Sequence, residues 1–135
     1  INNLSQNSQP LWGNMSVGQL LAHCSVTYEM LFEPERFSKP NGVARFMIKL
    51  FFKQLIVGEK PYKKNSRTSP DFLITDQREF EVEKEKLIDF LEKTQALGAN
   101  HFDQKESNSF GRLSVSEWNI MFYKHLDHHL NQFGV

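Results

Sequence analysis

The segment Tyr123-Lys124-His125-Leu126-Asp127-His128-His129-Leu130-Asn131-Gln132 decides how the chain is read. Three of the five histidines fall within five residues there. On a helix, His125 and His129 lie one turn apart on one face. Upstream, Ser114-Val115-Ser116-Glu117 has the form of a capping box, so the spacing predicts a helix from there to about Gln132. The inward stripe is Trp118, Met121, Phe122, His125, His129 and Gln132. The two histidines therefore continue a row of large apolar residues, while His128 falls toward the flank and Asp127 points roughly away.

A second stripe answers the first. Ser16-Val17-Gly18-Gln19 is another capping box, opening a helix from about Val17 to Phe32. Gln19, Leu20, His23, Val26, Thr27 and Met30 form its inner face, with His23 at the centre. An imidazole on an apolar stripe is costly unless its nitrogens have partners. One ion held by His23, His125 and His129 satisfies three at once. Zinc suits imidazole nitrogen, and three protein ligands with an open fourth position is the arrangement of catalytic sites. Nickel, iron and manganese also fit three nitrogens. A histidine pair four apart also serves packing or hydrogen bonding alone, so the spacing leaves both readings open.

The rest of the chain is expected to be helix and loop. Gly42 to Val57 reads as an amphipathic helix with Val43, Phe46, Met47, Leu50, Phe51 and Gln54 on one stripe and Arg45, Lys49 and Lys53 on another face. It is expected across the outside of the fold, engulfed or touching a partner. A long loop, 58–75, follows and is locally basic through Lys60, Lys63, Lys64 and Arg67. Asp76-Gln77-Arg78-Glu79 reads as a third capping box, opening a helix to about Leu97 that Gly98 stops. Residues 99–113 read as loop, and no strand is expected. The fold class is therefore all-α, an antiparallel four-helix bundle in one domain, 1–135, with an extra helix at 42–57. The chain begins at Ile1 without an initiator methionine, so the first helix of the bundle is expected to be truncated, lying mostly upstream.

Composition narrows the function. The 135 residues carry 16 basic and 16 acidic side chains, 39% hydrophobic residues and one cysteine. A neutral chain gives no global case for nucleic acid or for an anionic membrane surface. One cysteine excludes an internal disulfide and suits a reducing, cytoplasmic setting. The longest apolar run, Phe46 to Val57, is too short for a bilayer and contains Lys49 and Lys53. Other chemistry-bearing residues have ordinary roles at hand. Cys24 is rotated about 100° from His23 and reads as a packed thiol. Glu29 and Tyr123 could act as acid or base, but a solvated or hydrogen-bonded role is the simpler one. His101 reads as an exposed loop residue, and Trp12 and Trp118 as core anchors.

Leu11-Trp12-Gly13-Asn14-Met15-Ser16 with Gln19-Leu20-Leu21-Ala22-His23, and the closing run Trp118…Tyr123 to Gly134, resemble the DinB-like (DinB/YfiT) superfamily. More narrowly they resemble its bacterial branch with a Tyr-Lys-His-Leu-Asp-His-His motif. The superfamily's His-x-x-His-His-x-x-Gln pattern falls here on His125, His128, His129 and Gln132. The resemblance implies a four-helix bundle binding a divalent metal, often zinc or nickel, through His23, His125 and His129. It also implies homodimers and, in some relatives, transferases or isomerases using a low-molecular-weight thiol on a small-molecule substrate. Metal-assisted hydrolysis is a further use of such a site. A non-enzymatic helical module for stress response or dimerisation, with or without metal, is the contrasting class.

Overall fold

The computed structural model describes all residues, Ile1 to Val135. The chain is mostly helical, with one small two-stranded sheet. The first long helix, α1 (Val17–Phe32), starts where its capping box requires. Ser16 Oγ accepts from Gln19 N, and Gln19 Oε1 accepts from Ser16 N. α2 (Gly42–Val57) is capped by Asn41, whose Oδ1 accepts from Ala44 N at 2.9 Å. α3 spans Phe80–Leu97 and ends at Gly98, whose φ of +72° suits glycine. A one-turn helix, α4 (Ala99–Phe102), leads to strands β1 (Lys105–Ser107) and β2 (Gly111–Leu113). α5 (Val115–Gln132) closes the chain, with both arms of the Ser114–Glu117 capping box formed.

Two expectations need correction. The all-α reading misses the β1–β2 hairpin, which is antiparallel with Lys105 opposite Leu113 and Ser107 opposite Gly111. Its three-residue strands are too short to show alternation, and its turn is held by Ser107 Oγ accepting from Phe110 N at 2.9 Å. The third capping box does not form: α3 begins at Phe80, and neither Asp76 nor Glu79 caps it with a side chain. Arg78 takes Asp76 and Glu83 instead, at 3.1 Å each. The expected loop at 58–75 is present, with a short 3-10 turn at Pro70–Phe72 within it.

α1 is the central element. It is buried almost all round from Val17 to Glu29, not along one stripe. It packs along α3 and against α5, and α2 lies on α5. Gly18 permits the approach to the α3 side, because a Cβ there would stand 2.4 Å from the Arg78 carbonyl oxygen. The aromatic core stacks Tyr28 between Phe90 and Phe122, with centroids 6.0 and 5.1 Å away. Trp118 packs against Phe102 and Phe122, so it is the core anchor expected. The N-terminal segment is tied to the end of α5 by Leu11 N donating to the Gln132 carbonyl at 2.7 Å. No helix is long and apolar enough to cross a membrane.

Candidate metal centre

α1 and α5 bring His23, His125 and His129 together from opposite ends of the sequence. One nitrogen of each ring lies within 4.8 Å of the others. The ring centroids are 4.5 to 5.0 Å apart. All three side chains are buried, none more than 9% exposed.

The outer nitrogens define the inner ones. His23 Nδ1 is 2.8 Å from the Phe72 carbonyl oxygen. A carbonyl can only accept, so Nδ1 carries the proton and, in the neutral ring, Nε2 keeps its lone pair. Gln132 Nε2 donates to the Trp12 carbonyl at 2.7 Å, which turns Gln132 Oε1 toward His129 Nδ1 at 2.9 Å. His129 therefore donates from Nδ1, and its Nε2 is the free base. His125 Nδ1 meets Thr27 Oγ1 at 3.0 Å, a hydroxyl that can donate or accept. Of the three rings, His125 alone can change tautomer without losing its partner.

That freedom decides whether the donor set fits an ion. His125 Nε2 and His23 Nε2 are 3.0 Å apart. Without a cation, His125 bridges the gap by donating from Nε2 to His23, while Thr27 donates to its Nδ1. With a cation, His125 donates from Nδ1 to Thr27, and three lone pairs converge. Nitrogens about 2.0–2.1 Å from a tetrahedral ion stand about 3.3 Å from one another. The His23–His125 spacing is near that value, the three donor atoms lie within 4.8 Å of one another, and the outer hydrogen bonds are those that orient metal-bound imidazoles. The residues fit a divalent metal.

Burial keeps the rings neutral, the form that ligates. It is the main cause in all three. The His23 pKa is lowered, His125 is pushed well below its ordinary value, and His129 falls to about 3. Mutual repulsion among the imidazoliums adds to the effect in His125 and His129. The bond to Phe72 opposes it in His23, and the bond to Gln132 opposes it in His129.

The other candidates stand apart. His128 lies on the flank, edge-on to Trp12 and Tyr62 at 5.9 and 5.7 Å. Trp12 is half-buried there, under the Lys64 ammonium at 4.0 Å, and is not a core anchor. Cys24 is buried with its thiol pushed up to about 12 by desolvation, so it is a packed thiol. Glu29 is buried away from the histidines and pairs with Lys86 and Arg36. Tyr123 is 71% exposed and reaches Asp127. His101 is exposed beside Lys105.

Sequence reasoning missed two partners and one structural cation. Thr27 stood on the predicted stripe, and a hydroxyl there needs a partner; its place four residues after His23 was the available signal. The Phe72 carbonyl left no sequence signal. Lys124 is buried and donates to the carbonyls of Leu55, at 2.8 Å, and Gly58, which ties the end of α2 to α5.

Fold and site together define a mostly helical protein with a buried three-histidine cluster that could hold a metal ion. The chain matches, over residues 1–134, the family described as protein of unknown function (DUF1569), and belongs to it. No curated protein and no solved structure matches the chain.

Proposed function

We propose that this protein is a metal-dependent enzyme whose His23, His125 and His129 hold one divalent ion, zinc or nickel, through Nε2. The observation that carries the reading is the outer hydrogen bonding. Two of the rings, His23 and His129, are fixed with their lone pairs inward, and the third is free to join them. The His-x-x-His-His-x-x-Gln run and its likeness to the DinB-like superfamily support the same ligand set. The four-helix architecture of that superfamily belongs to this reading, with α1, α3 and α5 as three of its helices.

The reaction we favour is transfer of a low-molecular-weight thiol to an electrophilic small molecule in a cytoplasmic, reducing setting. A divalent ion held by the three histidines would supply the charge that lowers a thiol's pKa. The chain's own residues prepare the site. Thr27, Gln132 and the Phe72 carbonyl orient the rings. The Phe72 ring, edge-on to His23 and His125 at 5.5 and 5.8 Å, limits water beside them.

The same cover favours a second reading. Three nearly buried histidines under Phe72 also suit a closed metal site in a non-enzymatic module.

Metal analysis of protein purified without added metal tests the first claim. About one ion per chain is expected for the wild type, and a large loss for His125→Ala. Equal metal content in both would overturn the site. Conjugation of a thiol to an electrophile, present in the wild type and absent in His129→Ala, tests the reaction. A metal-loaded protein that conjugates no thiol would move the reading to the closed module.

A further inference from the structure

Residues 59–78 join α2 to α3 and cross the histidine cluster on the way. None of them is buried, and only Tyr62, Phe72, Ile74 and Arg78 are half-buried. No backbone–backbone hydrogen bond ties them to the rest of the protein. The two they make, Phe72 N to the Ser69 carbonyl and Leu73 N to the Pro70 carbonyl, close the short 3-10 turn. Side chains hold the ends. Tyr62 donates to the Ile56 carbonyl at 3.4 Å and lies against His128. At the far end Gln19 donates to the Asp76 carbonyl at 3.2 Å, and Arg78 pairs with Glu83. Between those anchors, over residues 63–75, one hydrogen bond reaches the body: His23 Nδ1 donates to the Phe72 carbonyl. The Phe72 ring covers His23 and His125 at the same point, and Lys64 rests on the Trp12 ring nearby.

We infer that residues 63–75 are a strap latched across the histidines by Phe72, and that an ion or small ligand reaches them by lifting it. The other walls yield less readily. α1 and α5 carry the three rings, and α1 is buried from Val17 to Glu29. The N-terminal segment beside His129 is fastened twice to Gln132, at 2.7 Å each: Leu11 N donates to its carbonyl, and its Nε2 donates to the Trp12 carbonyl. Lifting the strap breaks one hydrogen bond and uncovers one half-buried ring. A long segment with few buried contacts and no backbone ladder is where local opening needs least free energy.

The two parts of Phe72 act differently. Its carbonyl holds the tautomer of His23 and so governs affinity. Its ring lies over the imidazoles and so governs access. With the strap closed before and after binding, an opening step scales entry and exit alike and leaves the equilibrium constant unchanged. Partial burial of one phenylalanine ring is worth about tenfold in such an opening equilibrium. Any substrate of the proposed reaction takes the same route. What concerns an ion or substrate rests on the metal reading, whereas the accessibility of the rings does not.

Phe72→Ala removes the ring and keeps the carbonyl. In metal-free protein, diethyl pyrocarbonate acylates accessible imidazoles, and mass spectrometry follows His23, His125 and His129 against the exposed His101. Their acylation is expected to speed up about tenfold in Phe72→Ala. In zinc-loaded protein, uptake and release of zinc are expected to accelerate by a similar factor, with the affinity changed less than about threefold. Leu73→Ala, next in the strap and 62% exposed, is expected to match the wild type in both assays. Phe72→Leu is expected to give a smaller acceleration in the same direction, and it carries the test should the alanine variant unfold. Unchanged acylation in a variant with intact helical circular dichroism overturns the strap. So does weaker zinc binding with an unchanged uptake rate, which makes the ring a support for His23 and not a cover. Equal acceleration in Leu73→Ala overturns the assignment of the latch to Phe72. A wild type that holds no zinc, but whose rings Phe72→Ala opens to acylation, removes the metal reading and leaves the strap standing.

Discussion

Thr27 shows how much of a site one hydroxyl can decide. His23 and His129 each face an acceptor that permits a single tautomer, whereas His125 faces a group that permits two. Thr27→Val keeps the shape and removes the acceptor. His125 then has no partner for an Nδ1 proton, and the tautomer that points N–H into the cluster is favoured. Loss of such an outer partner is expected to weaken metal affinity about 10–100-fold. Thr27→Ser is expected to restore most of it. Competition with a chromophoric chelator measures both, and unchanged affinity in Thr27→Val would remove the tautomer argument. Neither Thr27's partner nor His23's could be read from the sequence. The bonds cross 98 and 49 residues, and one of them ends on a backbone carbonyl.

Among the elements, α1 and the segment leading into α3 approach too closely for a side chain at Gly18. Helix propensity alone gains about 1 kcal/mol from Gly→Ala. Here the added methyl meets a backbone carbonyl oxygen at 2.4 Å, and backbone yields less readily than a side chain. Overpacking costs about 1–3 kcal/mol, so Gly18→Ala is expected to be net destabilising. Denaturant unfolding gives the sign directly; a stabilised variant would mean that the two segments are not held this close. Helix positions were legible wherever a capping box or a long period marked them, as for α1 and α5. The start of α3 was not. Asp76 and Glu79 have the capping letters, but Asp76 goes to Arg78 and Glu79 makes no side-chain cap. The hairpin was illegible because three residues cannot display a period.

For the whole molecule, the buried histidines link stability to pH. Their folded pKa values lie below the unfolded value of about 6.5, His129 at about 3. Above pH 6.5 the rings are neutral in both states, and stability is complete. As pH falls through that value, the unfolded chain takes up protons that the folded chain refuses. Stability is then lost progressively down to the folded pKa, by up to about 1.4 kcal/mol per pH unit for each such histidine. Metal-free protein, titrated with urea in a chelator, is expected to show a falling midpoint between pH 7 and pH 5. A flat midpoint would mean that the rings are not buried as neutral groups.

The sequence by itself determined the helices that carry the site and the three residues that form it. Capping and a 3.6-residue period are local properties, and they place His125 and His129 on one face and His23 at the centre of another. The period also grouped the apolar residues of α2 correctly, but it says only which residues share a face. Whether that face looks into the core or out of it depends on what the rest of the chain leaves to be covered. In α2 that was settled by Arg45, Lys53 and Lys124 finding partners sixty or more residues away. The tautomers of His23 and His129 were settled in the same way, by hydrogen bonds that exist only once the chain has folded.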